Sequence, residues 1–137
     1  MSTEELLSYA EARGHRVYYI HLREIKAITL ESDASHIALS KSLHGVEEKE
    51  IVAHELGHCE YGGTYNRYSP YDISAKAERR ADKWAYLKLV PPGELRESIN
   101  AGLVEPWELA ERFEVSDAFM VKALEYYRDV AILPQLT

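Results

Sequence analysis

Residues 54–58 read His-Glu-Leu-Gly-His, and no other feature of the chain restricts its fold as much. On a helix, His54 and His58 stand four residues apart and project from one face, so both imidazoles can reach one metal ion. Glu55 lies about 100° around the axis, placed to act as a base toward water at that metal rather than as a ligand. Ile51, Val52, Ala53 and Leu56 give the helix a side that can be buried. Gly57 costs a helix about 1 kcal/mol relative to Ala, so its presence implies close approach by another element. The chemistry implied is metal-assisted hydrolysis of a peptide bond, with Zn2+ as the metal.

A zinc centre that keeps an open position needs three protein ligands, and the six histidines cannot supply the third by extending the motif. None follows His58, and six residues on stands Thr64. A downstream carboxylate is the alternative. Glu78-Arg79-Arg80-Ala81-Asp82 puts two acids four apart on one helical face. Glu78 can complete the metal shell while Asp82 accepts the ring N–H of a ligand histidine, expected to be His54. Asp82 as the ligand is the other possibility. The plainest reading is that both acids pair with Lys76, Arg79, Arg80 or Lys83 on a solvated face. Ala77, Ala81 and Ala85 would let this second helix lie close to the first, with Trp84, Leu87 and Leu89 on its core side. Donors for a developing oxyanion can come from Tyr61, Tyr65, Tyr68, Tyr71 or His44, with no basis for choosing among them.

The rest of the chain frames this centre. Ser2 and Glu5 form a possible capping box ahead of Leu6, Leu7, Tyr9 and Ala10, and Gly14 stops that helix. Strands are expected at 17–20, 25–30 and 36–40 from their β-branched and aromatic content, with a turn at 31–33. The strand at 37–40 is expected to offer an edge along which substrate lies extended. The motif helix should span about 46–61, end at Gly62-Gly63, and lead into a polar aromatic loop. The second helix should run from about Ser74 to Leu89, with Pro91-Pro92-Gly93 as its stop. Short helices are predicted at 94–100, 106–113 and 116–128. This gives an α+β domain at 1–93 and a helical segment at 94–137 packed on it.

The segment from Trp107 to Leu124 resembles a helix-turn-helix, although Glu114 stands where the turn usually has glycine. Between Glu105 and Arg128 six acids face three bases, and the whole chain carries −7, so direct DNA binding is not expected. That segment reads instead as a packing or partner-docking module. No stretch is apolar enough to span a membrane, and the start of the sequence lacks the basic and apolar regions of a secretory signal. Cys59 is the only cysteine, so no internal disulfide forms, and a cytoplasmic location is expected. Cys59 itself is expected to be a small buried residue.

These motifs together resemble the ImmA/IrrE family of metallopeptidases. The resemblance rests on Ala53-His54-Glu55-Leu56-Gly57-His58, on Glu78-Arg79-Arg80-Ala81-Asp82-Lys83-Trp84-Ala85, and on Leu89-Val90-Pro91, within an N-terminal helix and short strands. It covers most of residues 1–93 and, more loosely, the tail. It implies a compact zincin-like fold, a small twisted sheet beside two helices that carry the metal site. It implies Glu78 as third ligand. It also implies a protein substrate, a helix-turn-helix repressor of a phage or mobile element, whose removal releases silenced genes. The competing functions are a non-catalytic regulatory protein that binds a repressor or DNA, and a toxin–antitoxin component.

Overall fold

A computed structural model describes residues 1–31, 35–61 and 71–130. It is an α+β chain in two compact units, Met1–Ala85 and Tyr86–Thr137. Of the turn expected at 31–33, Glu31 is instead the last residue of a strand, while 32–33, the ending at Gly62-Gly63 and most of the aromatic loop fall outside the described residues.

The first unit begins with α1 (Thr3–Ala12), whose ends are set by local chemistry. The Glu5 amide donates to Ser2 Oγ at 3.1 Å and the Ser2 amide to Glu5 Oε1 at 3.2 Å, the reciprocal pair of a capping box. The helix stops at Arg13, and Gly14 takes φ +83°, where a side chain would be strained. Leu6 and Ala10, one turn apart, are fully buried.

Three strands follow: β1 (Arg16–Ile20), β2 (Ala27–Glu31) and β3 (Ser35–Ser40), in the spatial order β1-β3-β2. β1 runs parallel to β3, and β2 antiparallel. The registers align Val17, Ile37 and Thr29 in one row and Tyr19, Leu39 and Ala27 in the next. Alternation then sends this set to one face. Ile37 and Leu39 are buried, and α1 and α2 (Gly45–Tyr61) pack nearby through Val52, Ala53 and Leu56. The strand at 37–40 is therefore not an edge, as the sequence suggested. It carries the most buried strand residues and is hydrogen-bonded on both sides, so among the described residues the outer strands are β1 and β2.

At the far end of α2, Glu60 Oε1 accepts from Arg13 Nε at 2.7 Å and from His15 Nε2 at 3.0 Å. Burial works against the Glu60 charge, but these two donors outweigh it and hold its pKa below the usual carboxylate value. The contact ties the end of α1 to the last turn of α2.

Helix α3 (Tyr71–Leu89) starts ahead of the expected Ser74, so Tyr71 belongs to the helix and not to the preceding loop. In the second unit, α4 (Pro92–Asn100), α5 (Pro106–Phe113) and α6 (Asp117–Asp129) follow the last turn of α3. Pro91 and Pro92 do more than stop α3. They occupy the N-cap and first positions of α4, where a missing N–H costs nothing. Leu89, Val90, Leu95, Leu109, Met120 and Tyr127 are fully buried or nearly so. The Tyr127 hydroxyl lies 2.6 Å from the Val90 carbonyl and 2.8 Å from that of Tyr86, and so serves the buried carbonyl end of α3. The turn between α5 and α6 forms without glycine: Glu114 itself takes the left-handed conformation, φ 56° and ψ 50°. Ser116 then caps α6 by accepting from the Phe119 amide at 3.1 Å.

Candidate metal centre

Helix α2 presents His54 and His58 one turn apart, with ring centroids 4.8 Å apart and planes at 85°. Helix α3 brings Glu78 between them. Its Oε2 lies 2.8 Å from His54 Nε2 and its Oε1 lies 3.1 Å from His58 Nε2. One ligand atom from each of the three residues lies within 4.8 Å of the others. Bonds of about 2.0–2.1 Å in a tetrahedron imply ligand–ligand separations of roughly 3.3 Å. The 2.8 and 3.1 Å contacts run to the two different Glu78 oxygens, and the three ligand atoms span up to 4.8 Å, so the side chains would draw together around a small divalent ion. The donor set, two imidazole nitrogens and one carboxylate, suits zinc chemically.

Asp82 stands one turn beyond Glu78, and its Oδ1 is 2.8 Å from His54 Nδ1. A carboxylate there accepts the Nδ1–H, which fixes the tautomer and leaves Nε2 to face Glu78 and the centre. Burial disfavours a charged His54 ring. The hydrogen bond to Asp82 and the charges of Glu78, Asp82 and Glu55 outweigh that, and the pKa is raised. His58 is buried at 8% side-chain exposure, whereas His54, Glu78 and Asp82 keep 26%, 39% and 46%, so the cluster is partly open to solvent.

Two further contacts build the centre. Gly57 faces the backbone of α3: a Cβ there would sit 2.6 Å from the Ala81 carbonyl oxygen and 2.8 Å from its Cα. This is the close approach that a glycine inside the motif helix implied, and the buried Ala77, Ala81 and Ala85 keep α3 thin. The second contact was not anticipated. The Thr29 hydroxyl, on β2, donates to Glu55 Oε2. A threonine on the inward face of an edge strand was the one available signal, and it had no meaning until strand order and register were known.

The structure brings His54, His58, Glu78 and Asp82 together, with Glu55 held by Thr29. Of the other residues singled out, Tyr61 and His44 can be placed. Tyr61 ends α2 exposed. His44 is exposed, and its Nδ1–H donates to the Ser42 carbonyl at 3.1 Å. Among the described residues, no recorded hydrogen bond ties either to the cluster. Tyr65 and Tyr68 lie outside the described residues. Cys59 is half-buried rather than buried.

No helix among the described residues is long and apolar enough to cross a membrane. The family profile of the IrrE N-terminal-like domain, a peptidase family, matches residues 7–125. Comparison with curated proteins gave no match.

Proposed function

Because the chain belongs to the IrrE N-terminal-like domain family of peptidases, we propose that it is a zinc-dependent endopeptidase that cuts a protein substrate. The observation that carries this reading is the convergence of His54 Nε2, His58 Nε2 and the Glu78 carboxylate, backed by Asp82 on His54. These three hold the ion, and Asp82 orients the first of them. When bound, the ion supplies Lewis acidity, which lowers the pKa of water toward 7 and polarises the peptide carbonyl.

Glu55 is the general base. Its Oε2 accepts the Thr29 hydroxyl, so Oε1 remains for the attacking water. Glu55 takes a proton from that water and passes it to the amine that leaves, so one carboxylate serves both half-steps. A structural metal site has no use for such a base beside its ligands. β2, an outer strand among the described residues, offers its edge to an extended substrate, since its inward side already holds Glu55 through Thr29.

The substrate we favour is a helix-turn-helix repressor, by the family resemblance of the motifs. The test is co-expression with such a repressor, together with the metal content of the purified chain. Stoichiometric zinc and cleavage that disappears in Glu55→Gln and Glu78→Gln support the scheme. Cleavage that survives in Glu55→Gln refutes the base. A chain that binds the repressor without cutting it is a regulatory binding protein instead.

A further inference from the structure

The charged residues of α3 divide between two faces. Glu78 and Asp82 turn toward the His54 and His58 rings. Lys76, Arg79, Arg80 and Lys83 are all exposed, and their spacing of i, i+3, i+4 and i+7 sets them in one stripe about 10 Å long. Glu78 and Asp82, the two acids interspersed among them, are committed to the histidines. Among the described residues none of the four cations is held in an ion pair. Each instead has like charge at helical spacing: Lys76 beside Arg79 and Arg80, and Lys83 beside the same two. Such pairs destabilise a helix. The stripe also inverts the sign of a chain whose net charge is −7.

We propose that this stripe docks an acidic segment of the protein substrate beside the metal centre, an inference that rests on the peptidase reading. Helix α3 carries both the stripe and Glu78, so a segment seated on Lys76–Lys83 is tethered within one or two turns of the site. Tethering of this kind raises the local concentration of the scissile bond without touching it. The cations match a short run of carboxylates. A nucleic acid duplex fits less well, because its binding sums over a long footprint and the acidic remainder of the chain repels it.

The experiment uses the full-length chain carrying Glu55→Gln, titrated with an oligoglutamate peptide at low and at physiological salt. A neutral Gly-Ser peptide and a random-sequence DNA duplex serve as comparisons. The oligoglutamate is expected to bind, roughly tenfold more weakly at the higher salt. Arg79→Glu combined with Arg80→Glu should weaken it by a further tenfold or so, whereas Arg79→Lys with Arg80→Lys should keep it. The charge-reversed chain should also melt roughly 2 °C higher, since the introduced carboxylates attract Lys76 and Lys83. That rise separates lost docking from lost folding. Absence of oligoglutamate binding at low salt, or equal binding by the reversed chain, overturns the proposal. Tighter binding of the duplex, abolished by the same reversal, overturns it too and assigns the stripe to nucleic acid. Binding is read without cleavage, so an inactive wild-type chain would defeat the peptidase reading and leave these outcomes legible.

Discussion

Replacing Gly57 with alanine sets two effects of opposite sign against each other. Helix propensity favours the change by about 1 kcal/mol. Packing opposes it: the new Cβ would meet the Ala81 carbonyl oxygen at 2.6 Å and its Cα at 2.8 Å, and neither backbone atom can swing aside. Ordinary contact begins near 3.4 Å, so α3 must retreat by roughly 0.8 Å. Overpacking of this kind costs about 1–3 kcal/mol, and a backbone neighbour places it at the upper end. The net loss is about 2 kcal/mol, a fall in Tm of roughly 6–8 °C for a chain of this size. Glu78 travels with α3, so the same retreat opens the histidine–carboxylate cluster, and zinc affinity should fall roughly 10–100-fold. Gly93 provides the control. It is also helical, but a Cβ there meets nothing within 4 Å, so Gly93→Ala should stabilise by about 0.5–1 kcal/mol. Thermal melts with and without zinc, plus a competitive zinc titration, read both variants. A Gly57→Ala protein as stable as its parent, with unchanged zinc affinity, would refute the argument. Adding Ala81→Gly should not rescue it, because the obstructing atoms are main chain.

Other expectations are simpler. Thr29→Val should lower kcat about tenfold with KM and zinc content retained, while Thr29→Ser stays near wild type, measured on any cleaved substrate. Asp82→Asn should weaken zinc binding roughly 10–100-fold by releasing His54, read by competition with a chromophoric chelator. Glu114→Gly should raise stability by about 1 kcal/mol in urea unfolding, because it relieves a side chain held at φ 56°. Stability should also depend on pH and on metal with opposite signs. Against burial, Asp82, Glu78 and Glu55 raise the pKa of His54 in the metal-free fold. That contribution is complete below the unfolded value near 6.5 and fades as pH rises through the folded value. Zinc needs neutral rings, so its stabilisation fades in the other direction. The Tm gap between zinc-loaded and metal-free protein should therefore narrow as pH falls from about 8 to about 6, and a gap that widens contradicts the scheme.

What could be read from the sequence was what local periodicity governs. The Ser2–Glu5 cap, the helix around His54-Glu55-Leu56-Gly57-His58, and the shared face of Glu78 and Asp82 follow from residues within one or two turns of each other. The boundaries of α5 belong to the same class. The family and the α+β class followed because they rest on those motifs. Features set by distant pairing were not legible. Strand order is a property of the assembled sheet, so β3 looked like an edge although it lies between β1 and β2. Thr29 meets Glu55 only because β2 pairs with β3 in one register; a slip of one residue would turn it to the other face. Glu114 gave no sign that it would hold a turn usually assigned to glycine, since a non-glycine residue rarely takes a positive φ.

The order β1-β3-β2 also governs how the chain can be made. β1 and β2 never pair with each other, so neither hairpin nor sheet exists until Ser35–Ser40 has been synthesised and slides between them. The first strands wait, and the residues that release them run directly into the helix bearing His54 and His58. A nascent chain halted before residue 35 lacks the central strand that β1 and β2 pair with, while one extended through α2 holds both the whole sheet and the histidine pair.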